Sequence, residues 1–267
     1  MSDTPGLQEM TTEHDGHVAI IRFNRPDAMN TITARMLDQL SEQLLAADRN
    51  PDVRCIILTG AGRVFCAGLD VKAQSEGTGL LNNPATVSEI DLRNTPPTVL
   101  HNLDTPTIAA LNGGAAGYGL DIALGCDIRI AARGAKLNMA FAKRGILPES
   151  GGTWLLPRMV GYARAAELSF TGRTLTAEQA LGFGIVNNVV DDEALFSEAM
   201  KMAVEICENA PLAVRAIKRM MRMAESETFE QNVHHVFLQL LPLLHTKDFA
   251  EGINSYLERR PPVFEGR

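Results

Sequence analysis

The feature that most constrains the fold is the segment 107–127, in which an apolar run, a glycine-rich loop and a second apolar run follow one another. The run at 108–111 predicts a β-strand, and residues 120–124 predict a helix. Four glycines lie between them: Gly113, Gly114, Gly117 and Gly119. A junction of this kind presents unpaired N–H groups at the positive end of a helix dipole, and glycines let a ligand approach the main chain. It indicates either a site that holds negative charge or a tight turn that packs a helix on a sheet.

Composition restricts the class of protein. The 267 residues are 45% hydrophobic, which is ample for a large buried core. The 32 acidic residues outnumber the 25 basic ones, so we expect no broad basic face and no binding to nucleic acid or a membrane surface. Residues 1–16 lack the apolar centre of a signal peptide, and no apolar run approaches the length of a membrane span. We therefore predict a soluble cytoplasmic protein.

The cysteine and histidine patterns do not indicate a metal site. The chain has four cysteines, Cys55, Cys66, Cys126 and Cys207. They include no C-x-x-C pair, and three of the four lie in apolar runs. This arrangement is typical of buried free thiols in a reducing compartment and not of a disulfide framework. Four histidines also lack metal-ligand spacing: His101, His234, His235 and His245. No metal ion is expected.

The order of strands and helices divides the chain into three parts. Residues 1–16 are predicted to form a ragged tail, and residues 17–190 a core in which strand-strand-helix units repeat. Residues 191–267 are predicted to be helical. No linker separates these parts, so we prefer one domain with an appended helical region. Residues 72–93 are polar and contain glycine and proline, which indicates a mobile loop over a site.

Four motifs occur in an informative order along the chain. They are Asn-Arg-Pro with Met-Asn at 24–30, Phe-Cys-Ala-Gly-Leu-Asp at 65–70, Asn-Gly to Gly-x-Gly at 112–119, and Gly-Gly-Thr at 151–153. Together they resemble the crotonase, or enoyl-CoA hydratase/isomerase, superfamily over residues 17–267. Segments 143–158 and 251–262 look closest to its epoxyphenylacetyl-CoA isomerase branch in phenylacetate breakdown.

The resemblance implies an α/β fold of the crotonase (ClpP-like) type, built from repeated ββα units. It implies that the C-terminal helices mediate a homotrimer or a hexamer. It also implies an acyl-CoA thioester as substrate, with CoA carried on the substrate and no other cofactor.

In this family two backbone N–H groups bind the thioester oxygen, and the matching positions are Ala67 and Tyr118. Fixed donors suit this chemistry because the oxygen gains charge when the neighbouring carbon loses a proton. Tyr118 stands where the family often has glycine or alanine, so its ring is a candidate wall of the acyl pocket. The resemblance also places CoA or substrate contacts at Arg25, Ala67, Gly68, Leu69, Asp70, Lys72 and Gly117. For Asp70 the alternative is a loop buttress, and for Arg25 and Lys72 it is ordinary solvated charge.

The acid and base positions favour one reaction of the family over another. Hydratases of the family that this chain resembles usually carry two glutamates. Asp121 occupies the first matching position, but the second falls at Phe141, which cannot transfer a proton. Glu149 stands where several isomerases of the family place a single base, and one base suffices to move a proton between two carbons. We therefore predict a double-bond isomerase with Glu149 as the base and Asp121 assisting. Both acids could instead serve only to stabilise helix N-termini.

Two alternative functions remain open on the sequence alone. The first is an enoyl-CoA hydratase in which Asp121 and Glu149 together handle the water and the proton. The second is a non-catalytic member that binds acyl-CoA without converting it.

Overall fold

The computed structural model describes residues 8–82 and 92–267. Its strands form two sheets. In chain order they are β1 Met10–Asp15, β2 Val18–Phe23, β3 Cys55–Gly60, β4 Val64–Cys66, β5 Thr107–Leu111, β6 Gly114–Ala116, β7 Ile128–Ala132, β8 Lys136–Asn138, β9 Thr174–Thr176 and β10 Asn188–Val190. The first sheet has the order β1-β2-β3-β5-β7-β10, and the second has the order β4-β6-β8-β9.

The α-helices lie between and after these strands. They are α1 Ala34–Arg49, α2 Val71–Ser75, α3 Pro96–Asn102, α4 Tyr118–Gly125, α5 Gly152–Val160, α6 Tyr162–Thr171, α7 Ala177–Phe183, α8 Leu195–Cys207, α9 Pro211–Ala224, α10 Phe229–Leu243 and α11 Lys247–Glu258. Within the described residues, no helix combines the length and the apolar character needed to cross a membrane.

The larger sheet is covered on both faces, which explains why its central strands are continuous apolar runs. From β2 to β10 every pairing is parallel, and all residues of β3 and β5 are buried. One face packs against α1 through Leu40 and Leu44. The other face presents Ile57 and Ile108 to α8. The predicted α/β fold class is confirmed.

The smaller sheet brings three loops of the chain side by side. Cys66 pairs with Ala115, and Ala115 in turn pairs with Leu137. The segment after β4 and the start of α4 therefore lie next to each other, although about fifty residues separate them in the sequence. This sheet positions the candidate site.

Three details differ from the sequence predictions. Part of the predicted tail at 1–16 forms β1, an edge strand that pairs antiparallel with β2. Its only buried residue is Met10, so it lacks the apolar alternation by which strands are recognised. Strand β9 lies at 174–176, where none was expected. In the predicted loop 72–93, most of α2 and a 3-10 turn at Leu80–Asn82 are present, and residues 83–91 lie outside the described residues.

The division at residue 191 stays a prediction, but α8 qualifies it. Leu195, Ala199 and Ala203 of this helix are buried against the larger sheet. The first helix of the predicted helical region is therefore part of the core.

Candidate active site

The amide of Tyr118 is free at the start of α4. The helix follows Gly117, whose φ of 52° favours glycine because a side chain would be strained there. As the first helical residue, Tyr118 has no acceptor for its N–H within the helix, and none is found elsewhere among the described residues. This N–H is therefore available to a ligand, and its role as an oxyanion donor stays a prediction.

The prediction for the Ala67 amide does not fit the structure. The Ala67 N–H donates to the carbonyl oxygen of Met29 at 3.1 Å. Two residues later, the Leu69 N–H has no acceptor in the described part of the chain. Gly68 lies between them at a φ of 80°, so the chain leaves strand geometry there, which a motif match does not report. Leu69 thus replaces Ala67 as the free amide of this segment.

The free amides of Leu69 and Tyr118 belong to closely apposed segments. A Cβ added to Gly68 would lie 3.3 Å from the Tyr118 nitrogen and 2.4 Å from the Ala116 carbonyl oxygen. Only glycine permits this approach. The two free N–H groups therefore belong to backbone segments that lie in direct contact.

The predicted CoA contacts fall into two groups. Arg25 and Asp70 are tied into the protein: Arg25 donates to the Thr31 carbonyl oxygen at 2.6 Å, and Asp70 accepts from the Thr31 hydroxyl and caps α2 through the Ala73 N–H. The Ala73 N–H holds the pKa of the Asp70 carboxyl below its ordinary value, and the Thr31 hydroxyl and Arg25 add to this. Lys72, by contrast, leaves 84% of its side chain exposed, 4.0 Å from Glu76.

Asn30 is a positioning residue that the sequence prediction did not single out. It is fully buried, and its side-chain oxygen accepts from the Arg25 N–H at 2.8 Å. Its side-chain nitrogen donates to the carbonyl oxygens of Ala61 and Val64. These bonds fix the segment 25–31 against the start of β4, from which the Leu69 segment continues.

Asp121 is buried at the junction of α4 and α5. Only 1% of its surface is exposed, and its Oδ2 atom accepts from the Ser150 hydroxyl at 2.8 Å and the Gly152 N–H at 3.2 Å. Its Oδ1 atom is buried and has no partner among the described residues. Burial, with a smaller contribution from the charge of Glu149, outweighs the effect of the hydrogen bonds and raises the pKa of this carboxyl to about 7.

Glu149 has a different environment from Asp121. Its side chain reaches solvent, yet desolvation by the surrounding protein raises the pKa of its carboxyl above the ordinary value. Burial raises the pKa of the Tyr118 phenol strongly, and the charges of Glu149 and Asp121 add to this. Because charges act on a phenol only at short range, these interactions indicate that both acids lie near Tyr118. Phe141 is buried in the core and supplies no second acid.

The raised pKa of Asp121 gives the folding stability a predictable pH dependence. Below about pH 4 the Asp121 carboxyl is protonated in both the folded and the unfolded protein. Between about pH 4 and pH 7 it is ionised in the unfolded protein but still mostly protonated in the folded one. The contribution of Asp121 to the free energy of unfolding is therefore fully present below the pKa of the unfolded protein. It is lost as the pH rises towards the pKa of the folded protein. At about 1.36 kcal/mol per pKa unit, we expect a loss of about 3 kcal/mol between pH 5 and pH 8.

The variant Asp121→Asn isolates this effect, because an amide oxygen can still accept from Ser150 and Gly152. Urea unfolding at pH 5 and pH 8, at equal protein concentration, should show a pH dependence about 3 kcal/mol smaller in the variant than in the wild type. An identical pH dependence in both proteins would show that the folded protein already holds Asp121 ionised at pH 5.

No group of three or more His, Cys, Asp or Glu side chains suited to a metal ion occurs within residues 8–82 and 92–267.

The family model described as Enoyl-CoA hydratase/isomerase matches residues 13–267. The chain belongs to the enoyl-CoA hydratase/isomerase family. It is therefore an enzyme of the crotonase family, and the resemblance drawn from the four motifs is confirmed.

Individual relatives align along nearly the whole chain. The 1,2-epoxyphenylacetyl-CoA isomerase of Escherichia coli K12 is 39% identical, covering 94% of this chain and 95% of that protein. The (E)-benzylidenesuccinyl-CoA hydratase of Thauera aromatica is 37% identical, covering 96% and 99%. A crystal structure of enoyl-CoA hydratase from Bacillus anthracis has a TM-score of 0.90 at 33% identity, covering 97% and 100%. Isomerases and hydratases both occur here, so the choice between the two reactions depends on the residues of the site.

Proposed function

We propose that this enzyme moves a carbon-carbon double bond within an enoyl-CoA thioester, using Glu149 as its single base. The Leu69 and Tyr118 amides bind the thioester oxygen. For a 3-enoyl-CoA, Glu149 takes a proton from C2, the electrons pass to the oxygen as a dienolate, and the same carboxyl returns a proton to C4. CoA enters as part of the substrate, and no other cofactor is required by these steps.

The observation that carries this proposal is the contrast between the two acids. Glu149 reaches solvent, whereas Asp121 is almost completely buried and already binds Ser150 and Gly152. Phe141 fills the position of the second hydratase glutamate. A raised pKa also suits Glu149 to its role, because a base is most effective when its pKa approaches the working pH.

The acyl group is proposed from the relatives. The names 1,2-epoxyphenylacetyl-CoA isomerase and (E)-benzylidenesuccinyl-CoA hydratase both describe acyl groups derived from a phenyl ring. We infer that this enzyme also accepts a ring-bearing acyl group. A panel of straight-chain and phenyl-substituted 3-enoyl-CoA thioesters tests this, since a kcat/KM that favours straight chains would contradict it.

The decisive experiment is product identification by mass spectrometry in D₂O, with 2-enoyl-CoA and 3-enoyl-CoA as separate substrates. We expect a moved double bond, deuterium at the carbons that exchange protons, and no added water. Addition of one water to the 2-enoyl ester would identify a hydratase. Binding of acyl-CoA without conversion of either ester would contradict the proposed reaction.

We also propose that the enzyme assembles as a trimer or hexamer through its C-terminal helices. Helix α10 has no buried residue, although much of its surface is apolar. Its exposed side chains include Phe237, Leu238 and Leu241. An apolar surface of this kind is costly to leave in water, and a second copy of the chain would cover it.

The variant Phe237→Glu is expected to weaken this assembly, because it places a charge on an apolar side chain that is 60% exposed in the single chain. Light scattering after size-exclusion chromatography should give a trimer or hexamer mass for the wild type and a smaller mass for the variant. Tyr162→Glu, which adds the same charge at an exposed aromatic residue on α6, is the matched control. A wild-type monomer would contradict the proposal.

A further inference from the structure

Ser150, next to the proposed base, is fastened to a different helix. Only 1% of the Ser150 surface is exposed, and its hydroxyl donates to Asp121 Oδ2 at 2.8 Å. Asp121 lies on α4, about one turn after Tyr118. The loop that carries Glu149 is thus hydrogen-bonded, through Ser150, to helix α4. The first amide of that helix, at Tyr118, is a proposed oxyanion donor.

The same carboxyl also holds the start of α5. This helix begins after Gly151, which has no side chain to cap it, and Asp121 accepts from the Gly152 N–H instead. The carboxyl lies so close to Gly152 that an added Cβ would be 2.2 Å from Oδ1. Ser150, Asp121 and Gly152 therefore form one packed contact, which we call the α4–α5 contact.

We propose that Ser150 is a positioning residue for Glu149: its hydroxyl, through Asp121, fixes the base relative to the Tyr118 amide. The inference rests on the proposed function, since it assumes that Glu149 is the base. Its chemical reason is that the base must reach C2 while the thioester oxygen stays on its donors. Errors of about 1 Å in such a geometry cost about 10²-fold in rate.

Two features of the α4–α5 contact support a positioning role over a structural one. The Ser150 hydroxyl donates one hydrogen bond within the described residues, and its acceptor is the Asp121 carboxyl on the helix that begins with Tyr118. In addition, the Glu149 carboxyl accepts a hydrogen bond from its own backbone N–H and from no side chain of the described residues, so its placement depends on the backbone that carries it. Ser150 is the residue that anchors this backbone.

The test is the variant Ser150→Ala, assayed on a 3-enoyl-CoA. We expect kcat to fall by about 10- to 100-fold while KM changes by less than about threefold, because substrate binding is retained and the base is misplaced. Ser41→Ala is the matched control: Ser41 is also buried, on α1, and its hydroxyl has no partner in the described chain. It should leave kcat unchanged.

A double-mutant cycle separates positioning from a general structural defect. If Ser150 acts through Glu149, adding Ser150→Ala to Glu149→Gln should change the residual kcat by less than about twofold. A full further loss in the double variant would overturn the inference, as would a Ser150→Ala enzyme with wild-type kcat. If Glu149→Gln itself keeps wild-type activity, the proposed function fails first, and this result is distinct from both.

Discussion

Replacing Glu149 with glutamine is expected to lower kcat for double-bond migration by about 10²- to 10⁴-fold, which is the usual contribution of a general base. Glutamine keeps the size of the side chain but cannot accept the proton from C2. Because no other carboxyl is proposed to carry that proton, the loss should approach the upper value. The KM for acyl-CoA should change little, since binding depends on other groups.

The measurement should follow both product formation and deuterium exchange at C2 in D₂O. Both should be lost together, because the variant cannot form the dienolate. Asp121→Asn is the informative comparison. The wild-type Asp121 carboxyl is buried and already accepts hydrogen bonds from Ser150 and Gly152, so we expect its replacement to cause a much smaller loss of kcat. Equal losses in the two variants would favour the hydratase mechanism, in which both acids take part.

Replacing Gly119 with alanine is expected to lower kcat by about 10²-fold and the free energy of unfolding by about 1–3 kcal/mol. An added Cβ would lie 2.2 Å from the Cys66 carbonyl oxygen and 2.7 Å from the Cys66 Cβ. Gly119 follows the Tyr118 amide, and Cys66 precedes the Leu69 amide by three residues. The clash would therefore separate the two segments that carry the proposed donors.

Steady-state kinetics and urea unfolding check both parts of this prediction. Gly182→Ala is the control, because no atom lies within 4 Å of its added Cβ and alanine favours the helix α7 in which it lies. It should retain kcat and gain up to about 1 kcal/mol of stability. A Gly119→Ala enzyme that loses stability but keeps kcat would show that the spacing of the two segments is not critical for catalysis.

Much of the fold follows from local sequence patterns. The apolar runs at β3 and β5 are buried on both faces, as expected for strands of a core of repeated strand-strand-helix units. Strand β1 was missed because its side chains are mostly polar and exposed, so its pairing with β2 depends on backbone hydrogen bonds that leave no apolar pattern.

The site was less accessible from the sequence, for a related reason. Motifs indicated which loops matter, but the direction of each N–H depends on backbone angles such as the φ of 80° at Gly68. The motif therefore indicates Ala67, whereas the free amide of this segment belongs to Leu69. Similarly, Ser150 and Asp121 are 29 positions apart, and no local pattern signals that their side chains meet.

The strand order of the larger sheet has a consequence for the chain as it leaves the ribosome. From β2 onward, the strands join the sheet in the order in which they are made, so each new strand finds its neighbour already present. The face that contains Ile57 and Ile108, however, is covered by α8, which begins only at residue 195. Until α8 has been synthesised, the nascent chain therefore carries a nearly complete sheet with one uncovered apolar face.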